Sequence, residues 1–197
     1  MKYDFQAAMI APCYISLAKD VLKGTGIQVA STLNFPQAND TLDMKLAALK
    51  EMIKTGVDQF DFPPNPGLLI GGEEKAYFEE MKQIVEVAHA SGVIVKSMLE
   101  FGFLNEEQKK KAAQLACEAG IDWVKQSSGW GVGGCAATVE DVKILKENIS
   151  LPCRVKVSGK VNSLEKMKMM FEAGAELVGT SSGPEIIEGL IGDPNAY

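Results

Sequence analysis

Histidine is nearly missing from this chain: His89 is the only imidazole in 197 residues. Zinc hydrolases and metal-dependent aldolases usually need two or three imidazoles, and a histidine-based triad needs one that is well placed. His89 stands in "VEVAHASG", a helical pattern, and reads as a helix-surface residue. Chemistry here then falls to lysine, carboxylate and hydroxyl groups. A long apolar run is also lacking. None reaches the ~18 residues of a membrane span, and the opening "MKYDFQAAMI" lacks a signal-peptide layout. The four cysteines, Cys13, Cys117, Cys135 and Cys153, form no C-x-x-C pair and read as free thiols of a reducing cytosol. Net positive charge is lacking too: the formal charge is −6, which argues against a nucleic-acid binder. The expected setting is cytoplasmic, with no membrane and no nucleic acid as partner.

The composition, 46% hydrophobic and 23% charged, suits one globular domain with a sizeable core. No linker rich in proline, glycine or serine divides residues 1–197. Strands are expected at Ala7–Ala11, Ile27–Leu33, Gln59–Phe62, Val93–Leu99, Asp122–Lys125, Cys153–Val157 and Glu176–Thr180. They are nearly continuous in apolar character, as strands covered on both faces are. Amphipathic helical segments lie between them, at Thr41–Gly56, Lys75–Gly92, Asn105–Gly120, Thr138–Asn148 and Ser163–Gly174. Thr41 is a candidate N-cap, and "TVED" has the outline of a capping box with Asp in place of Glu. Repeated strand–helix units predict a parallel sheet. The phrases "KTGVDQFDF", "ACEAGIDWVK" and "MFEAGAELVG" each join a helix to a strand through a glycine, the rhythm of a (β/α) barrel. Such a barrel wants eight strands, and seven are visible.

In parallel α/β folds the reactive groups gather at the C-terminal ends of the strands. Those ends carry Asp61, Lys96 with Glu100, Lys125, Lys156 and "GTSSG" (179–183). Lys125 follows an apolar lead-in, "IDWV", where desolvation works against a charged amine. Two lysines at neighbouring strand ends would be forced together, and repulsion plus burial yields a neutral amine. A neutral amine attacks carbonyls, and a carboxylate such as Asp61 moves protons. The alternative is that Lys125 and Lys156 extend into solvent or pair with Asp61 or Glu100 in a structural network.

"GTSSG" offers glycine amides and three hydroxyls. With "SGK" (158–160) it forms a candidate phosphate pocket, or else an ordinary βα loop. "GWGVGG" (129–134) matches G-x-G-x-x-G after a strand. However, the next strand ends in "VKVSG" without the acid that a dinucleotide site requires. It reads as a mobile loop over the site.

Together "DWVKQSSGWGVGGCAATVEDV", "FDFPPNPG", "VKVSGKV" and "EAGAELVGTSSG" resemble deoxyribose-phosphate aldolases of the DeoC type. "STLNFPQAND" and "APCYISLAK" extend the likeness towards the N-terminus, so it runs in order over nearly the whole chain. The resemblance implies a class I aldolase on a TIM barrel: a lyase of deoxyribonucleotide catabolism that uses no metal or other cofactor. It would cleave 2-deoxy-D-ribose 5-phosphate reversibly to glyceraldehyde 3-phosphate and acetaldehyde. It puts the family's Schiff-base lysine at Lys125, its second lysine at Lys156 and its relay aspartate at Asp61. Substrate contacts fall on Ser127, Ser128, Ser158, Gly159, Lys160, Gly179, Thr180, Ser181 and Ser182. Tyr197 matches a C-terminal tyrosine that some members use in proton relay, although a terminal tyrosine can equally be an ordinary one.

The departures are specific. The likeness begins at the family's second strand, which accounts for seven strands: either the chain is a truncated form, or the barrel is incomplete, or another segment fills the gap, and a missing strand would expose two sheet edges and bear on oligomerisation. Met9 stands where many members have a cysteine, Phe101 where they have a small polar residue, and Gln126 beside the nucleophile. Lys160 replaces a glycine, and Pro63 and Pro64 follow Asp61 where sheet pairing must end. These changes keep open a substrate-shifted relative, or a non-catalytic one that binds a sugar phosphate.

Overall fold

A computed structural model describes residues 2–130 and 136–193. Cys135, most of "GWGVGG" and Tyr197 lie outside the described residues.

The described residues hold seven strands: β1 (Ala7–Met9), β2 (Gln28–Thr32), β3 (Gln59–Phe62), β4 (Ile94–Met98), β5 (Trp123–Lys125), β6 (Arg154–Ser158) and β7 (Leu177–Gly179). They form one all-parallel sheet in chain order, β1 to β7. The helices are α1 (Ile15–Val21), α2 (Leu42–Lys54), α3 (Pro66–Ile70), α4 (Glu74–His89), α5 (Glu106–Glu118), α6 (Val139–Glu147), α7 (Leu164–Ala173) and α8 (Gly183–Ile187). The sheet curls. Asp61 on β3 reaches Lys156 on β6 at 2.5 Å, yet three strand steps would separate them by about 14 Å in a flat sheet. β1 and β7 line one cavity of about 530 Å³ but do not pair among the described residues. The architecture is a (β/α) barrel open between its first and last strands among the described residues, with the seven strands that the sequence shows.

The helices end as the glycines predicted. Gly56, Gly92, Gly120 and Gly174 all take positive φ. At Gly120 the next residue's N–H reaches back to Ala116 O (3.1 Å), and at Gly174 the next reaches Met170 O (3.0 Å). This closure satisfies helix-end carbonyls and favours a residue without Cβ. The chain then turns directly into β5 and β7. Thr41, Thr138 and Ser163 cap α2, α6 and α7. The full capping box belongs to α5, where Asn105 and Gln108 exchange bonds. α1, α3 and α8 were not foreseen. Proline at or near the start of each segment punctuates the sequence like a loop, yet Pro66 and Pro184 stand in the first turns of α3 and α8, where no N–H is needed.

One expectation needs correcting. The strands are not apolar on both faces. Val29, Phe60, Phe62, Val95, Val124, Val155 and Val157 join the core under the helices. The alternating positions, Gln59, Asp61, Lys96, Lys125, Lys156 and Ser158, are buried and polar. Successive side chains point to opposite faces. The barrel therefore keeps its hydrophobic layer outside the sheet and its chemistry inside.

Candidate active site

Register sets the site. Asp61 stands opposite Lys96, and Lys125 stands opposite Lys156. The curl brings both pairs together around one carboxylate. Lys156 Nζ lies 2.5 Å and Lys125 Nζ 3.5 Å from Asp61 Oδ2, while Lys96 Nζ lies 3.4 Å from Oδ1. All four side chains are buried.

Three amines share one counter-ion in low dielectric, which cannot stabilise all of them as cations. Burial would raise the Asp61 carboxyl, but Lys156, Lys96 and Lys125 outweigh it and hold the group well below the usual carboxylate range. Burial pushes all three lysines down, against the pull of Asp61. Lys96 falls to about 8, and Lys125 also falls. Lys156 falls too, with repulsion from Lys125 adding to burial. Desolvation is the largest cause in all three, and the pairing of Lys125 and Lys156 with Asp61 is also what the structural-network alternative expects.

Asp61, Lys125 and Lys156 open onto a cavity of about 410 Å³ at the C-terminal end of the sheet. Its wall includes Met9, Phe35, Met98 and Trp130 on the apolar side, and Ser158, Gly179, Thr180 and Ser181 on the polar side. Trp130 meets Phe35 edge to face, with centroids 6.4 Å apart. The wall is tight at Gly179, where a Cβ would sit 3.2 Å from Lys156 Cε and 3.3 Å from Ser158 Cβ. A mostly apolar wall with a few converging polar groups is the general character of a small-molecule site.

The other expected contacts fall elsewhere. Ser127 Oγ and Ser128 Oγ accept from the N–H groups of Gly129 and Trp130, so they shape the turn after β5 and do not line this cavity. Ser128 N donates to Glu100 Oε1 at 2.5 Å, and burial raises the Glu100 carboxyl. Gln126 is buried beside the nucleophile position, but its amide donates to Ser158 O at 2.6 Å and ties β5 to β6. Phe101 is buried with its N–H on Gln126 O. Ser182 is buried, and its N–H donates to Thr180 Oγ1. Gly159 and Lys160 form a left-handed turn (φ 101° and 57°) off the cavity wall, with Lys160 exposed. His89 pairs with Asp122 at 2.9 Å at the end of α4, a surface contact as expected. Lys96 stood among the strand-end residues without a role. Its signal was a lysine inside the apolar run "VIVKSML".

No protein-family model matches the chain. It is 40% identical over 193 residues to a deoxyribose-phosphate aldolase of Staphylococcus carnosus, covering 98% of this chain and 86% of that one. To the deoxyribose-phosphate aldolase of Thermococcus kodakarensis it is 38% identical over 191 residues, covering 96% and 84%. Among solved structures, the deoxyribose phosphate aldolase of Aeropyrum pernix superimposes with a TM-score of 0.86 at 26% identity, over 95% of this chain and 78% of that one. A structure described as QR15, an aldolase, gives 0.86 at 30% identity, over 93% and 80%. Sequence relatives and structural neighbours agree with the barrel: the chain belongs to the deoxyribose-phosphate aldolase family.

Proposed function

We propose that this protein is a Schiff-base aldolase that cleaves 2-deoxy-D-ribose 5-phosphate to glyceraldehyde 3-phosphate and acetaldehyde, reversibly. The observation that carries the reading is the buried Lys125 amine, 3.5 Å from a carboxylate that also binds Lys156. The neutral amine of Lys125 attacks the C1 aldehyde of the open-chain sugar, and the carbinolamine loses water to give an iminium. That cation is the electron sink for retro-aldol cleavage. A base takes the proton of the C3 hydroxyl, the C2–C3 bond breaks, and its electron pair moves into an enamine. Glyceraldehyde 3-phosphate leaves with three carbons. The enamine takes a proton at C2, and water releases acetaldehyde and restores the amine. Asp61 and Lys156 are the groups placed to move these protons. Ser158, Gly179, Thr180 and Ser181 face the phosphate end.

A cytoplasmic location and assembly into a homo-oligomer belong to the same reading. No helix among the described residues is long and apolar enough to cross a membrane, and the Aeropyrum structure is described as tetrameric. The test is turnover. Deoxyribose 5-phosphate should yield both aldehydes, and Lys125→Met should yield neither. Binding of the sugar phosphate by calorimetry without release of acetaldehyde would mark a binding protein instead.

A further inference from the structure

Asp61 divides two environments. Its Oδ2 faces Lys125 and Lys156, and the three groups line the mouth cavity. Its Oδ1 faces Lys96, and neither Oδ1 nor Lys96 Nζ has a hydrogen-bond partner among the described residues. Lys96 does not line the mouth cavity. It lines the neighbouring one, beside β1 and β7. Register explains this, because Met98, not Lys96, stands opposite Lys125. Lys96 lies two residues nearer the N-terminal end of the sheet, and its ion pair with the mouth groups is to Asp61, while Lys156 lines both cavities.

We infer that Lys96 is a positioning residue: it holds Asp61 from behind through Oδ1 and sets how firmly the cluster retains the proton of Lys125. This rests on Lys125 being the Schiff-base amine. A Lys96 cation competes with Lys125 for Asp61 and repels a second cation beside it, and both effects release the Lys125 proton. The groups that face Lys96 are Asp61 from β3, Lys125 from β5 and Lys156 from β6; Glu100, just past β4, acts on Lys125. Burial brings Lys96 to about 8, so it carries its charge near neutrality. Without it, Asp61 Oδ1 faces no amine, and the carboxylate is free to turn away from Lys156.

The experiment is the pH profile of kcat/KM for deoxyribose 5-phosphate cleavage by the whole chain and by Lys96→Met, Lys96→Gln and Lys96→Arg. Borohydride trapping is run on each. The acid limb marks deprotonation of Lys125. In Lys96→Met and Lys96→Gln it should move up by about one pH unit, with kcat falling more than KM changes. Lys96→Arg, which keeps a cation, should return the limb towards the parent position. Lys96→Gln carries the test if Lys96→Met does not fold. An unmoved acid limb, with the same fold-loss at every pH, overturns the inference. So does a folded Lys96→Arg that keeps the displaced limb. Failure of the parent itself to trap at Lys125 overturns the Schiff-base reading, a result distinct from either of these.

Discussion

Lys45 and Glu80 form a buried ion pair between α2 and α4, with one charge of each sign. Lys45 Nζ donates to Glu80 Oε1 and to Ala38 O, both at 2.8 Å, and Glu80 Oε1 also accepts from Asn65 N at 2.9 Å. Inside the sheet, Asp61 faces three amines at 2.5 to 3.5 Å, and Lys96 Nζ and Asp61 Oδ1 are left without hydrogen bonds among the described residues. Both places bury lysine against carboxylate. The first is balanced and saturated, so it ties two helices together and has nothing to give. The second is overloaded with amines in low dielectric, so it must shed protons. An imbalance of buried charge is what makes a lysine nucleophilic.

The comparison can be broken from either side. The largest effect should come from Lys125→Met, which removes the amine and should cut turnover by about 10⁴-fold or more, read by single-turnover assay. Asp61→Asn keeps the shape and removes the shared counter-ion, and should cost about 10³-fold in kcat. If turnover in that variant stays near the parent level, the relay role of Asp61 is lost. Glu80→Gln strands the Lys45 cation and should cost about 3–5 kcal/mol of stability in urea denaturation, leaving kcat per folded molecule unchanged. Lys45→Met with Glu80→Leu should recover much of that loss.

The smallest effect is the pH dependence of stability. Lys96 titrates at about 8 in the folded protein and at 10.5 ordinarily. The unfolded chain therefore binds more protons between those values, and unfolding free energy from this group rises with pH across that window. At about 1.4 kcal/mol per unit the rise is about 3 kcal/mol. Lys96→Met should lose this share of the rise and keep what Lys125 and Lys156, which are also pushed down, contribute, as denaturation curves from pH 8 to 10.5 would record.

Much of the sheet was legible because barrel strands are short, β-branched and separated by glycine-closed helices. "IDWVKQSSGW" announced Lys125 because an amine after an apolar strand needs a reason. What stayed hidden depends on the third dimension. The meeting of Asp61 on β3 with Lys156 on β6 follows from curl, which no local spacing encodes. Lys45 sits in an ordinary amphipathic helix, and its burial depends on Glu80 from another helix. Ser127 and Ser128 read as substrate hydroxyls, yet each hydroxyl accepts from the backbone N–H two residues on. A hydroxyl in a turn serves the turn first.

The central claim is that the overloaded cluster activates one amine, Lys125, and not its neighbours. Treating the protein with acetaldehyde and borohydride near neutral pH, then mapping peptides, tests this directly. A single ethyl group is expected on Lys125, absent in Lys125→Met, with Lys96 and Lys156 unmodified. An ethyl group on Lys96 or Lys156 in the parent, or equal labelling of Lys125→Met, would contradict it.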